Sequence, residues 1–239
     1  MAYDKVIDSA KLDADLTTVA DAIRIKTGKT DKLTLEQMPT EIESIQTGGG
    51  GVNQLDEFMD GTITDINSKV TNVIAYALRE SKALITVNLP NCTTIGTYAF
   101  YNCNGLKVFN APNLSSIGSN AFTNCKSLLE INFPSADSIK VYCFSNNTSL
   151  VKVDLGVTKS IAGYAFEYDA KLVTLILRKS DEICTLSNSN AFRSSAIANG
   201  SGYIYVPSAL VDAYKSATNW SNYASQIRAI EDYPDICGD

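Results

Sequence analysis

The sequence holds no histidine, and that one absence removes Ser-His-Asp and Cys-His nucleophile pairs, histidine general bases and His-ligated zinc. The groups left for chemistry are carboxylates, thiols and phenols. Asp154, Glu167 and Asp169 are the nearest carboxylate set in the central region. Glycoside hydrolysis is the chemistry they would suit, since it wants two Asp or Glu about 5–10 Å apart beside a sugar. Their places in the pattern predict outward-facing columns without a cleft, so the chain is not expected to be an enzyme, and a polysaccharide depolymerase is the third reading. Cys92, Cys103, Cys125, Cys143, Cys184 and Cys237 show no Cys-x-x-Cys spacing. Buried free thiols are therefore expected, with no metal and no cofactor.

Tyr76, Tyr98, Tyr142 and Tyr164 form a spaced column, interrupted by Asn120. Stacked rings with polar tips would suit sugar rings or a protein receptor, although half-buried tyrosines more often only shield a core edge. A second set, Thr86, Val108, Glu130, Lys152 and Thr174, varies from copy to copy, with threonine recurring only at its two ends. Glu130 and Lys152, with Asp154 nearby, are thus the charged candidates for a recognition surface; a solvated face with no task explains them equally well. Asn88, Asn110 and Asn132 share one column and could form an amide ladder between stacked strands.

These columns exist because the chain repeats. Pairs of the Ala-Phe kind recur as Ala77-Leu78, Ala99-Phe100, Ala121-Phe122, Cys143-Phe144, Ala165-Phe166 and Ala191-Phe192, at intervals of 22, 22, 22, 22 and 26. Leu84, Leu106, Leu128, Leu150 and Leu172 keep the same step, as do Ile95, Ile117, Ile139 and Ile161. After each leucine, apolar and polar residues alternate, as in Val87-Asn88-Leu89 and Phe109-Asn110-Ala111, the period of a strand with one face in a core and the other wet. A single unit cannot fold alone: ordering 22 residues costs roughly 33 kcal/mol, far above what about five buried apolar side chains return. Stacked coils with parallel strands about 4.8 Å apart share their apolar columns. The fold class is therefore a repeat solenoid of parallel strands.

The phrase Ile95-Gly96-Thr97-Tyr98-Ala99-Phe100-Tyr101-Asn102-Cys103-Asn104-Gly105-Leu106 resembles the BspA-type leucine-rich repeat. The resemblance covers roughly residues 66–200, with Gly156, Arg178 and Asp169 as departures in the later copies. It implies an α/β leucine-rich-repeat solenoid and, from other members of the family, a role as a bacterial surface adhesin or host-interaction protein.

The ends differ from the repeats. Leu12, Leu16, Val19 and Ile23 fall at i, i+4, i+7 and i+11, which predicts an amphipathic helix. Gly48 to Gly51 read as a linker. The expected organisation is a helical attachment or oligomerisation segment at 1–47, a Gly-rich linker at 48–53, the solenoid at 54–200 and a C-terminal strand-helix cap at 201–239, with Trp220 packing inside it. The stretch Leu16-Thr17-Thr18-Val19-Ala20-Asp21-Ala22-Ile23-Arg24, with Lys26 to Leu33 after it, resembles N-terminal segments of structural proteins in tailed phages of Gram-positive bacteria. That resemblance implies attachment of the head to other virion proteins, either as a homo-oligomer such as a trimer or docked singly on a larger partner.

Composition narrows the partners. With 20 basic and 26 acidic residues the formal charge is −6, and a pI near 4.8 argues against nucleic acid. No run approaches the ~18 apolar residues of a membrane span, and the first residues lack a basic and an apolar export region. The expected role is non-enzymatic: a phage virion component, a tail-fibre or receptor-binding element that recognises a host cell-surface protein or polysaccharide. The expected location is the virion, with the bacterial cell surface as the alternative.

Overall fold

In a computed structural model of the protein, residues 64–179 and 181–238 are described. They belong to a unit running from Asp60 to Asp239. The expected helix carrying Leu12, Leu16, Val19 and Ile23 lies outside the described residues, as does the Gly-rich linker.

The 22-residue period produces coils whose backbone bonds run from each coil to the next. One side of each coil is a strand: β1 (Asp65–Asn67), β3 (Thr86–Asn88), β5 (Val108–Asn110), β7 (Glu130–Phe133), β9 (Lys152–Leu155), β11 (Thr174–Leu177), β13 (Tyr203–Val206) and β14 (Ile227–Ala229). A second side carries the isoleucine column on shorter strands: β2 (Asn72–Val73), β4 (Thr94–Ile95), β6 (Ser116–Ile117), β8 (Ser138–Ile139), β10 (Ser160–Ile161) and β12 (Thr185–Leu186). Every pairing is parallel and in register, so Ile131, Val153, Leu175, Ile204 and Ile227 stand beside one another facing the core. Parallel pairing follows from the coil itself, because each strand returns in the same direction after one full circuit.

The third side is built of turns. Two residues in each of five turns have left-handed backbone, Tyr76, Tyr98, Asn120, Tyr142 and Tyr164 in one column, with φ of 55–62°, and Glu80, Asn102, Asn124, Asn146 and Tyr168 in the other; the last turn has Ser194 alone, and the second column spans φ of 59–65°. A non-glycine residue there costs roughly 1–2 kcal/mol, offset by bonds between coils such as Phe100 N to Ala121 O (2.8 Å) and Phe122 N to Cys143 O (2.9 Å). Between the two left-handed columns the backbone points Phe100, Phe122, Phe144, Phe166 and Phe192 inward. Their rings stack at 5.3–5.5 Å, within 8° of parallel. This ring column, the leucines and the isoleucines make one continuous core.

The pairing is interrupted at one coil junction on two of the three sides. Neither β5 and β7 nor β6 and β8 are neighbours in a sheet. On the second side the interruption falls where the glycine column ends. Gly96 N reaches Val73 O at 2.8 Å and Gly118 N reaches Ile95 O at 2.7 Å. A Cβ at either glycine would lie 2.3 Å from backbone nitrogen of the preceding coil. Lys140 occupies that column in the next coil and brings a Cβ to the crowded spot. The turn side keeps its bonds across the same junction, from Asn120 N to Val141 O (3.1 Å) and from Asn124 N to Ser145 O (2.9 Å).

The chain ends in a cap. After β13 come a 3₁₀ turn at Ser208–Leu210, helix α1 (Val211–Ser216), a 3₁₀ segment Trp220–Gln226, β14, a 3₁₀ turn Ile230–Asp232 and helix α2 (Pro234–Cys237). Trp220 is buried against Phe192, the last ring of the stack, and its Nε1 donates to Cys184 O at 2.6 Å. The Tyr214 hydroxyl accepts from Cys184 N at 2.7 Å. Both polar tips are thus satisfied while their rings close the end of the core.

One expectation needs correcting. The alternating pattern predicts a wet outer face along the whole sheet, yet Ile176 on β11 and Tyr205 on β13 are buried on that face with Cys237, and Ile230 and Tyr233 pack against them. The segment after β14 folds back as a strap across the outer sheet face and gives it a small core of its own.

Candidate functional site

The tyrosine column stands on the turn side because each ring springs from a left-handed residue at the same point of successive coils. Tyr76 and Tyr98 stack at 5.3 Å and 13°, and Tyr142 and Tyr164 at 5.1 Å and 14°. Asn120 holds the middle place, so the stripe is two pairs rather than one run. Tyr76 is 53% exposed and Tyr142 36%, so neither ring is a core residue. Two arginines flank the pairs: Arg79 lies over Tyr101, which packs near-perpendicular to Tyr98 at 5.4 Å, and Arg193 lies 5.1 Å from the Tyr164 ring centre and 5.7 Å from that of Tyr168. Tyr101, Arg79, Tyr168 and Arg193 are not evident from the sequence pattern. They sit three and four residues after the tyrosine column, in the series Arg79, Tyr101, Thr123, Ser145, Glu167, Arg193 and Glu80, Asn102, Asn124, Asn146, Tyr168, Ser194, where no regular pattern marks them.

The charged candidates are not brought together with the tyrosines. They lie on the strand side, where Glu130 on β7 is exposed. Its register partner Lys152 turns its Nζ instead to Ile236 O, at 2.7 Å. Asp154 receives two hydrogen bonds from Arg178, Nε to Oδ1 at 2.8 Å and Nη2 to Oδ2 at 2.7 Å, while Arg178 Nη2 also donates to Cys237 O. Lys152, Asp154 and Arg178 therefore hold the C-terminal strap, and Glu130 is left to face solvent alone.

The carboxylate set departs from expectation. The repeat pattern predicts outward columns for Glu167 and Asp169, yet both are buried. Asp169 shares its column with Cys103, Cys125 and Asn147, all facing the core, and Asn147 N donates to its Oδ1 at 2.8 Å. Burial pushes the Asp169 carboxyl well above the usual range, so it is the neutral form that this site favours. Glu167 pairs with Arg193. The three acids do not converge on solvent.

All six cysteines are buried and unpaired. Burial pushes the Cys103 and Cys184 thiols up to about 12 and raises Cys125 and Cys143 as well, which makes them packing groups rather than nucleophiles. Among the described residues no group of three or more His, Cys, Asp or Glu could hold a metal, and no helix is long and apolar enough to cross a membrane.

Two amide ladders run along the solenoid. Asn88 donates to Asn67 Oδ1 (3.0 Å) and Asn110 to Asn88 Oδ1 (2.7 Å); the ladder stops before Asn132, where β5 and β7 are no longer paired. The second, unforeseen, joins Asn102, Asn124 and Asn146 on the turn side. Asparagine tolerates left-handed backbone, and the 22-residue recurrence of these three was its visible signal.

Comparison with known proteins adds to this geometry. Six copies of the BspA type leucine rich repeat region match over residues 71–199, more than half of the chain. The chain belongs to the BspA-type leucine-rich repeat family. Among solved structures it is similar to the T. pallidum leucine rich repeat protein, at 34% identity over 46% of this chain and 52% of that one, TM-score 0.43. It is similar also to a leucine-rich repeat protein from Eubacterium ventriosum, at 25% identity over 57% and 44%, TM-score 0.44. A leucine rich cell surface protein from Faecalibacterium prausnitzii shares 24% identity over 52% and 46%, TM-score 0.34. The chain spans about half the length of these relatives. No curated protein matches it.

Proposed function

We propose that this leucine-rich-repeat solenoid is a non-enzymatic recognition module, and that the turn side carrying Tyr76, Tyr98, Tyr142 and Tyr164 is the face that meets the target. The observation that carries this reading is the pair of ring stacks, each with one exposed and one half-buried ring, held at fixed spacing by left-handed backbone. A rigid parallel scaffold offers aromatic area at little conformational cost on binding, and such residues dominate the energetics of recognition surfaces.

The finer reading is a phage tail-fibre or receptor-binding element acting on the host surface. It is supported by the likeness of Leu16 to Arg24 and Lys26 to Leu33 to virion attachment segments. Two measurements test it. Full-length protein should adhere to host cells, and replacing Tyr98, Tyr142 and Tyr164 with Ser should reduce adherence at least tenfold; unchanged adherence removes the stripe. Particles assembled with protein lacking residues 1–47 should fail to incorporate it, and normal incorporation defeats the attachment role. The alternative, a bacterial surface adhesin, is what the repeat family itself suggests. Mass spectrometry of purified particles against surface-labelled cells separates the two.

A further inference from the structure

The interruption of the tyrosine column has a definite shape. Asn120 has the same left-handed backbone, φ 57°, as the tyrosines on either side. Its side chain therefore leaves the turn from the equivalent point. On this side the coils stay regularly bonded: Tyr98 N donates to Ser119 O and Asn120 N to Val141 O, both at 3.1 Å. Tyr98 and Tyr142 thus stand two coil steps apart in one column, about 10 Å at the parallel-strand spacing of ~4.8 Å, with Tyr101 packed near-perpendicular to Tyr98. The adjacent pairs, one step apart, stack at 5.1–5.3 Å. The space above Asn120 accordingly has the thickness of one ring, with an aromatic wall on each side.

We propose that this slot binds a single pyranose ring of a polysaccharide, stacked between Tyr98 and Tyr142 with its hydroxyl edge on the Asn120 amide. The inference deepens the recognition role proposed above and rests on it. The walls suit any flat ring, and the floor decides between occupants. The Asn120 amide is partly exposed, and its Oδ1 lies 3.5 Å from Thr123 Oγ1, which makes its shorter bond to Tyr142 O at 2.5 Å. With only that long contact to Oδ1, the half-exposed amide keeps donor and acceptor capacity for a ligand. A phenyl ring pressed onto that floor would desolvate the amide and return no hydrogen bond. A sugar ring presents C–H groups to both walls and hydroxyls to the floor, which meets all three surfaces.

The test uses saturation-transfer NMR on the full chain, with maltotriose, chitotriose and a rhamnose trisaccharide as probes, beside adherence to host cells. Transfer to the ring protons of at least one probe is expected, reduced at least fivefold in Asn120→Tyr, which fills the slot with the ring the column lacks. A melting temperature for Asn120→Tyr at or above that of the native protein confirms that the variant is folded. Tyr142→Ser, which removes one wall, should lower transfer similarly and serves if Asn120→Tyr does not fold. Equal transfer in native and variant proteins overturns the slot. So does the absence of transfer from all three probes. Binding of a tyrosine-containing peptide that Asn120→Tyr abolishes, without sugar transfer, overturns the sugar as occupant. Host-cell adherence that survives Asn120→Tyr overturns the slot and leaves the recognition role standing, whereas sugar transfer by a protein that adheres to no host cell does the reverse.

Discussion

Arg178 holds the Asp154 carboxylate with two parallel hydrogen bonds and, from the same guanidinium, donates to the backbone of Cys237. One side chain thus ties two neighbouring coils to the C-terminal strap. The planar fork of arginine makes this three-way contact; a lysine at 178 would offer a point charge without the bidentate geometry. The strap covers Ile176 and Tyr205, apolar residues on a face that is wet in earlier coils.

Replacing Arg178 by Met should loosen the strap and leave the solenoid intact. Loss of a charge-assisted bidentate pair costs roughly 1.5–3 kcal/mol. The Cys237 thiol, buried in the native protein, reports the change. Its alkylation rate should rise at least tenfold, with Cys103 and Cys125 as protected controls. An unchanged rate would mean that Ile230 and Tyr233 hold the strap without Arg178.

Asp169 makes stability depend on pH. Its folded-state carboxyl is raised well above the ordinary range by burial, so the folded state binds the proton more tightly than the unfolded chain does. The stability this group contributes is complete below about pH 4, the unfolded value, and is lost as pH rises toward the folded value. Asp169→Asn cannot titrate. Urea denaturation should show the variant more stable than the native protein at pH 7 and the advantage shrinking as pH falls toward 4. A constant difference across that range would refute the account.

The left-handed column makes a prediction that contacts alone would not. Asn124 sits at φ 62° and links Asn102 to Asn146 through its amide. Asn124→Ala loses the ladder and keeps the strain, whereas Asn124→Gly loses the ladder but relaxes the backbone. Glycine should therefore be the milder substitution, by about 1 kcal/mol in equilibrium unfolding. Alanine milder than glycine would show that chain entropy in the unfolded state outweighs the strain.

Much of this architecture could be read from the residues because stacking forces equal positions into equal environments. The columns of Leu84, Ile95 and Phe100 are visible as a period of 22, and the period alone implies coils with parallel strands. What escaped that reading is whatever breaks the equivalence. Ile176 and Tyr205 look like outward residues until the strap of Ile230, Tyr233 and Cys237 covers both. Asp169 looks like an outward acid because a carboxylate in the column of Cys103 and Cys125 violates the expected burial of the pattern. The tyrosines were legible as a stripe, but their strained backbone, which aligns the rings, shows only in φ. Lys140 is the opposite case: its departure from the glycines at 96 and 118 is plain in the sequence, while the consequence for pairing needs the distances.

That consequence can be tested directly. Gly96 and Gly118 let one coil's backbone nitrogen reach the carbonyl of the coil before it, and the next such column member, Lys140, falls where β6 and β8 are no longer paired. Removing the Cβ should let the coils approach. Lys140→Gly is therefore expected to slow hydrogen exchange at amide 140, as a bond to Ile117 O forms, even though glycine costs roughly 0.5–1 kcal/mol of chain entropy elsewhere. Ala162, one coil further on, reaches Ile139 O at 2.9 Å despite its methyl group, so Lys140→Ala should recover part of the protection. If both variants exchange at the native rate, the interruption comes from the strand side, where the bulky Phe109 and Phe133 meet edge to face at 6.0 Å. In that event Phe133→Leu should restore the pairing of β5 with β7 and extend the amide ladder from Asn110 to Asn132.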